Sequence, residues 1–191
     1  MASQRLNFLN DTADIVAARL LGCTIERDID GMTLRGRIVE TEAYDETDAA
    51  SHSYNGRTPR TEVMFGSAGH LYVYFTYGMH YCCNVVVGRT GYGAAVLIRA
   101  IEPIDGIEKM QHLRGKSGVD MTNGPAKLCQ AFAIKKSENG TDLRTGIIRL
   151  IVDNPIPVNL VTTTTRIGIS REKDRAWRFY ITDNPYVSNK L

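Results

Sequence analysis

The segment from Leu71 to Val87, LYVYFTYGMHYCCNVVV, constrains the fold more than any other part of the chain. Its first five residues alternate between tyrosines and other apolar side chains, which is the period of a strand with two different faces. Tyr77 and Gly78 then supply a turn, and the residues from His80 onward form a second β-rich run. The sequence therefore predicts a β-hairpin over residues 70–87, and with it an antiparallel sheet.

Hydrophobic periodicity and turn residues outline the rest of the chain. We expect helices over 11–21, 103–113 and 125–132, strands over 33–44, 93–101, 146–152, 160–169 and 176–182, and a long loop over 45–69. A loop of that length inside a compact domain is usually functional. At 191 residues the chain is long enough for one substantial core and short for two. The prediction is an α+β protein with a single domain, residues 1–191, in which antiparallel pairing dominates.

Composition excludes several classes of protein. The chain has 43% hydrophobic and 23% charged residues, as ordinary globular proteins do. No run of about 18 apolar residues is present, so we expect no transmembrane helix. The first ten residues lack the apolar segment of a signal peptide. The four cysteines lie on apolar stretches without CxxC spacing, so we expect buried free thiols in a reducing cytoplasm.

The strand that ends in IVETEAY carries two carboxylates. Strict alternation places Glu40, Glu42 and Tyr44 on one face together with Ile38, and places the small or apolar residues between them on the core face. One interpretation is a solvated polar face. The other is a carboxylate among aromatic rings, where desolvation favours base catalysis.

The tip of the hairpin carries an aromatic residue where a turn ordinarily has a small or polar one. Gly78 fits the turn, but Tyr77, close to Met79, does not. The ring could pack on a neighbouring loop, or it could insert between base pairs as apolar wedges of minor-groove binders do. Tyr44, Tyr72 and Tyr74 could then stack on an extruded base, although such rings more often belong to a core.

Charge is distributed unevenly along the chain, although the net charge is only +2. Residues 40–48 carry five acidic and no basic side chains. Basic residues follow in clusters, namely Arg57, Arg60, Lys109, Arg114, Lys116, Lys127, Lys135 and Lys136. Such a distribution would suit an enzyme that holds a polyanion near a carboxylate.

Two other patterns are weak signals. His80, Cys82 and Asn84 share a strand face, but this spacing supplies too few soft ligands for zinc. The glycine-containing segment 88–93 lacks the G-x-G-x-x-G order and predicts a turn. We therefore expect neither a metal nor a cofactor.

Several ordered motifs resemble one known family. They are GRIVETEAY, AASHS, TPR, MF, LYVYFTYGMHYCCN, VLIRAIEP, GPAKLCQAFAI and RFYITDNPYVS, and they extend from about Leu6 to Ser188. In this order they resemble the alkyladenine (3-methyladenine) DNA glycosylases of the mammalian type. The resemblance implies one α+β domain around a curved, partly open barrel-like antiparallel sheet, with peripheral helices and a protruding β-hairpin.

The resemblance also assigns roles to residues of the base pocket. Glu42 matches the general base that activates water, and Arg99 matches the arginine that helps to position this water. Tyr44, His52 and Tyr74 match the pocket that holds the flipped base.

Further matching positions concern DNA and the edge of the base. Asn84 matches the asparagine that crowds the purine 2-position. Tyr77 matches the residue that fills the gap left by the flipped nucleotide, and we assign Met79 beside it to the same DNA-intercalating tip.

These matches imply a monofunctional enzyme that leaves an abasic site. Its substrates would be alkylated purines such as 3-methyladenine and 7-methylguanine, together with hypoxanthine and 1,N6-ethenoadenine. The implied partner is double-stranded DNA with damaged purines, and we expect a monomer without a membrane partner. The chain starts near where the family's catalytic domain starts, which suggests a bacterial member. We expect a cytoplasmic, nucleoid-associated protein. The loop between Tyr44 and His52 and the segment 54–61 depart from animal relatives and flank the base pocket, so the resemblance determines lesion preference less than it determines catalysis. The spacer 114–122 also differs in length.

Two other functions compete with this interpretation. Glu40 and Glu42 could be the paired carboxylates of a glycoside hydrolase, although a paired acid and base usually approach the bond from opposite sides. A non-catalytic reader of damaged DNA would keep Tyr77 and the basic residues, but it would not need Glu42 together with Arg99.

Overall fold

A computed structural model describes residues 6–153 and 155–188. Its centre is an antiparallel sheet of eight strands: β1 Thr24–Ile29, β2 Met32–Tyr44, β3 Leu71–Thr76, β4 His80–Val86, β5 Ala95–Asp105, β6 Ile148–Ile151, β7 Val161–Thr164 and β8 Arg178–Ile181. On one edge β2 pairs first with β1 and then with β8, while β5 follows the other edge. The sheet therefore curves into a half-barrel, and the predicted α+β fold is confirmed.

In the described part of the chain, three α-helices accompany the sheet: α1 Ala13–Leu20, α2 Ile107–Arg114 and α3 Pro125–Ala131. Helix α1 buries Val16, Ala17 and Leu20 against the sheet. The Thr41 hydroxyl of β2 donates a 2.8 Å hydrogen bond to the carbonyl of Ala17, so a polar side chain is satisfied inside this interface. Helix α3 begins with Pro125, where a missing N–H costs nothing.

The predicted hairpin is confirmed as β3 and β4. Its register runs from Leu71 opposite Val85 to Thr76 opposite His80. Tyr77 and Gly78 form the turn with φ of 51° and 65°, and a two-residue turn with positive φ at both positions suits the twist of paired strands. The Tyr77 side chain is 81% exposed, so the hairpin protrudes from the body.

One strand was missed, and two element boundaries were wrong. Strand β1 was not predicted, and only residues 161–164 of the predicted strand 160–169 are β-structure. The helix expected from Pro103 begins at Ile107, because β5 continues to Asp105 and Gly106 then adopts φ of 73°. A Cβ at Gly106 would lie 2.4 Å from a Leu34 methyl group, so this sharp transition requires glycine.

Adjacent bulges interrupt the pairing of β2 with β5. The successive pairs are Ile38–Ile101, Glu40–Ala100 and Thr41–Ile98. Val39 is therefore an extra residue of β2, and Arg99 is an extra residue of β5. The prediction that Ile38 shares a face with Glu40 is wrong, because the bulge reverses the alternation and Ile38 packs in the same core as Ala43.

The four cysteines are buried and have free thiols. Among the described residues, no helix is long and apolar enough to cross a membrane.

Candidate active site

A cavity of about 370 Å³ opens beside the base of the hairpin. The ends of β2 and β5, the hairpin strands and the loops around residues 50–52 and 167–169 enclose it. Seven of the eight predicted site residues border it: Glu42, Tyr44, His52, Tyr74, Tyr77, Asn84 and Arg99. The structure thus brings together side chains from positions 42 to 99, while Met79 lies outside the cavity.

Glu42 lies at the bottom of the cavity, and its side chain is fully buried. It accepts hydrogen bonds of 2.8 Å from the Tyr44 hydroxyl and from the backbone N–H of Ile167. Its Oε1 also lies 3.2 Å from Nη1 of Arg99. The solvated-face interpretation is wrong, because water does not cover this carboxylate and three fixed groups orient it.

The bulge in β5 directs Arg99 to the same place. Its guanidinium lies between two carboxylates, with Nε 3.2 Å from Glu40 and Nη1 3.2 Å from Glu42. Burial alone would lower the pKa of Arg99, but the negative charges of Glu42 and Glu40 outweigh it and raise that pKa. The cavity therefore contains a permanent positive charge beside its carboxylate.

Aromatic rings form the wall above this pair. His52 packs edge-on against Tyr74 with ring centroids 4.5 Å apart, and Tyr72 and Tyr74 lie 5.7 Å apart. The His52 Nδ1 is 3.1 Å from the Tyr72 hydroxyl. Desolvation of the imidazole, followed by the nearby charge of Arg60, lowers the pKa of His52 to about 4. His52 is therefore neutral at pH 7.

Tyr44 closes the opposite side. Burial, and then the charge of Glu42, raise the pKa of its phenol far above the ordinary value, so Tyr44 stays protonated and donates to Glu42. The guanidinium of Arg166 lies 4.6 Å from the centre of the Tyr44 ring. Arg166 also forms a completely buried ion pair with Asp48 and donates to the carbonyl of Ala43. One guanidinium thus joins β2 to the loops on both sides of the cavity.

Sequence reasoning missed part of this wall. Arg166, Asp48 and the segment 167–169 were not singled out as site residues. Asp48 belongs to the acidic stretch that the sequence analysis noted, but nothing local connects it with Arg166, 118 positions away. Segment 167–169 was assigned to a strand, whereas it forms a loop that contributes an N–H to Glu42.

Asn84 lies on β4 facing Leu97 of β5, and it is 5% exposed. Its amide donates a 3.1 Å hydrogen bond to the carbonyl of Tyr72, across the hairpin. The side chain therefore both joins the two hairpin strands and borders the cavity.

The hairpin tip carries exposed apolar side chains next to the mouth of the cavity. Tyr77 and Met79 are 81% and 67% exposed, and Phe75 is about half exposed. The Tyr77 ring is not packed on a neighbouring loop to any large extent, so that interpretation is wrong.

The competing sites have no support in this geometry. Glu40 does not border the cavity, so it cannot serve as the second carboxylate of a glycoside hydrolase. Within 6–153 and 155–188, no group of three or more His, Cys, Asp or Glu side chains could hold a metal ion.

Comparison with known protein families identifies the family of this chain. The model of the methylpurine-DNA glycosylase family matches residues 7–185. The chain belongs to this family. Its glycosylase fold accordingly comprises nearly all of the sequence.

Curated relatives agree with this assignment. A relative from Carboxydothermus hydrogenoformans is 52% identical over 178 residues, which are 92% of this chain and 93% of that protein. Relatives from Francisella tularensis and Methanoculleus marisnigri are 49% and 47% identical, with 91–92% of this chain and 92–93% of theirs covered. All three are named as 3-methyladenine DNA glycosylases. The chain is thus a DNA glycosylase for alkylated bases, a hydrolase of DNA repair.

Proposed function

We propose that this glycosylase hydrolyses the N-glycosidic bond of damaged purines that are flipped out of duplex DNA, using water activated by Glu42. The observation that carries the proposal is the buried Glu42 carboxylate, paired with Arg99 at the bottom of an aromatic cavity. A base inside a stacked duplex could not reach this carboxylate. The nucleotide must therefore rotate into the cavity before reaction.

Catalysis would rest on three groups around one water molecule. Glu42 takes the proton from this water as it attacks the sugar carbon, and Arg99 holds the water and the carboxylate in line. Tyr44 donates to the other oxygen of Glu42, which leaves the carboxylate only a narrow choice of orientation. No amine nucleophile is required, because a 3- or 7-alkylated purine is cationic and already a good leaving group. A neutral purine such as hypoxanthine must also take up a proton as its bond to the sugar breaks, so that it leaves as the neutral base.

Aromatic rings would hold the base, and a close contact would restrict the groups that fit at one edge of the purine. Tyr44, Tyr74 and His52 supply faces and edges on which a purine can stack. Asn84 would crowd the purine 2-position. The substrates we propose are 3-methyladenine, 7-methylguanine, hypoxanthine and 1,N6-ethenoadenine in double-stranded DNA, bound by a monomer that inserts Tyr77 and Met79.

Replacement of the general base tests this function. Glu42→Gln keeps the shape of the side chain, so it should reduce release of hypoxanthine and 3-methyladenine from duplex DNA by about 10²- to 10⁴-fold while lesion binding persists. Single-turnover base release and an equilibrium binding assay measure the two effects. The matched control is Glu108→Gln on an exposed face of α2, which should leave both unchanged. Near-normal release by Glu42→Gln would refute the mechanism, and binding without release by the unmodified protein would indicate a non-catalytic reader.

A further inference from the structure

A second buried carboxylate lies behind the catalytic pair, outside the cavity. Glu40 is 0% exposed and accepts three hydrogen bonds. Its Oε1 accepts from Nε of Arg99 at 3.2 Å and from Nε of Arg178 at 2.6 Å, and its Oε2 accepts from the N–H of Ser188 at 2.7 Å. These donors belong to β5, β8 and the segment that follows β8. Glu40 therefore connects three separate parts of the chain.

Ser188 uses both its backbone and its side chain in this cluster. Its carbonyl accepts from Nη2 of Arg178 at 2.9 Å, while its hydroxyl accepts from Nη2 of Arg99 at 3.3 Å. With the N–H on Glu40, three polar groups of one residue are committed here. Such a cluster does more than anchor a chain end, because one of its contacts is with the arginine that faces the cavity.

The guanidinium of Arg99 is thereby fixed on every side. Nε contacts Glu40, Nη2 contacts the Ser188 hydroxyl, and Nη1 contacts the proposed general base Glu42. A guanidinium is planar, so fixing two of its nitrogens determines where the third one points. Glu40 and Ser188, which do not border the cavity, thus determine the direction in which Nη1 points toward Glu42.

Charge balance points to the same role. Two buried carboxylates, Glu40 and Glu42, lie with two buried guanidiniums, Arg99 and Arg178. Without Glu40, Arg99 would be free to form a two-pronged ion pair with Glu42, the geometry that arginine and carboxylate prefer. That pairing would add a second Arg99 donor at Oε2, which already accepts from Tyr44, and would leave less room for the attacking water at the carboxylate. Glu40 therefore competes for the guanidinium and keeps it to a single contact with Glu42.

We propose that Glu40 and Ser188 are positioning residues, which hold Arg99 in the orientation that catalysis requires. The proposal rests on the proposed function of Glu42 and Arg99. It assigns Glu40 no contact with the substrate and no proton transfer. Its consequence is that these two residues act on the chemical step only through Arg99.

Single-turnover release of hypoxanthine from duplex DNA tests the proposal. Ser188→Ala deletes only the hydroxyl and keeps the backbone bonds, so it should slow release by about threefold to tenfold. Glu40→Gln should slow it by about tenfold to 10²-fold, since a misplacement of about 1 Å can cost that much. Lesion-duplex affinity should stay within about twofold of the unmodified protein in both variants, because neither residue borders the cavity. Ser117→Ala, at an exposed serine, is the matched control and should release base normally.

A double-mutant cycle separates positioning from a merely structural role. Arg99→Lys removes the guanidinium that Glu40 and Ser188 would orient. In that background, Glu40→Gln and Ser188→Ala should each change the remaining rate of base release by less than about twofold. Rate losses in the Arg99→Lys background as large as those in the unmodified protein would overturn the proposal. So would full activity of Ser188→Ala, which decides the question if Glu40→Gln does not fold. Inactivity of the unmodified protein would instead refute the proposed function.

Discussion

Three titratable side chains that we propose as contacts of the base, His52, Tyr44 and Tyr74, are uncharged at neutral pH. The pKa of His52 is lowered to about 4 by desolvation and by Arg60. Burial raises the pKa values of Tyr44 and Tyr74, so both phenols keep their protons. A base that enters the cavity as we propose would therefore meet neutral donors and acceptors at its edges, with charge confined to Glu42 and Arg99. Selection among bases then depends on shape and hydrogen bonding at single positions.

Asn84 is the residue where this selection should be altered most simply. Guanine differs from hypoxanthine only by its 2-amino group, so a pocket that accepts hypoxanthine must exclude guanine at that edge. Asn84→Ser shortens the side chain without touching Glu42 or Arg99. We expect it to raise release of guanine relative to hypoxanthine by about tenfold, which corresponds to about 1.4 kcal/mol. The measurement compares both releases at a matched folded fraction.

Asn139→Ser is the control for this experiment. The side-chain oxygen Oδ1 of Asn139 accepts a hydrogen bond from the N–H of Val73, so the Asn139 side chain also stabilises the hairpin, but it does not border the cavity. It should lower stability without changing the ratio of released bases. If Asn84→Ser behaves in the same way, Asn84 serves only to hold Tyr72 and the hairpin together.

Site residues could be predicted from the sequence where a local motif contains them. They could not be predicted where a contact depends on the pairing of segments that are distant in the sequence. The ETEAY motif and the resemblance singled out Glu42 and Tyr44. The bulge at Val39 was not predictable, because it depends on the register between β2 and β5. The pairing of Arg166 with Asp48 was missed for the same reason.

Secondary-structure elements were predictable where local patterns determine them. The hairpin followed from alternation within residues 71–87 and from one turn. Strand β1 was missed because TIERDI carries charged side chains at consecutive positions, and these become favourable only through partners elsewhere. Glu26 of β1 pairs with Arg35 and Arg149, and Arg27 pairs with Glu138. Tertiary ion pairs thus offset a weak strand propensity.

At the hairpin tip, a bulky residue occupies a backbone conformation that usually favours glycine or asparagine. Tyr77 has φ of 51° and exposes most of its ring. A strained and exposed aromatic residue is a reason to look for a functional role. Insertion into the duplex, where the flipped nucleotide leaves a gap, would supply the missing contacts.

Tyr77→Ala should therefore weaken the flipped state. We expect affinity for lesion duplexes to fall by about 1–3 kcal/mol, the range found for removal of a ring that stacks on a base. Excision from duplexes should slow, and excision from single-stranded substrate should change much less, because no neighbouring pair has to be unstacked. Val158→Ala, which removes an exposed apolar side chain elsewhere, is the control. An equal loss on both substrates would contradict insertion.

At the scale of the whole molecule, the site combines parts of the chain from Glu42 to Ser188. Strand β2 is central because it pairs with β1, β5 and β8. The loop between β7 and β8 then returns an N–H to Glu42, and the segment after β8 reaches Arg99. The arrangement of groups around Glu42 and Arg99 therefore forms only when nearly the whole chain has folded.

The lining of the cavity also bears on which product the reaction leaves. A lyase step requires an amine that reaches the sugar and forms a Schiff base. No lysine borders the cavity among the residues that the structure describes. Lys109 and Lys127 are paired with Asp30 and Asp120 in ion pairs on other parts of the surface.

We therefore expect the enzyme to leave an intact strand with an abasic site. Borohydride added during turnover of a hypoxanthine duplex should trap no covalent protein–DNA adduct, and the strand should break only on later treatment with alkali. A glycosylase with a known lyase activity, run in parallel, verifies that trapping works under the same conditions. A trapped adduct, or strand cleavage at neutral pH that matches the rate of base release, would mean that an amine reaches the sugar. Attack by water activated at Glu42 would then not be the route by which this cavity breaks the glycosidic bond.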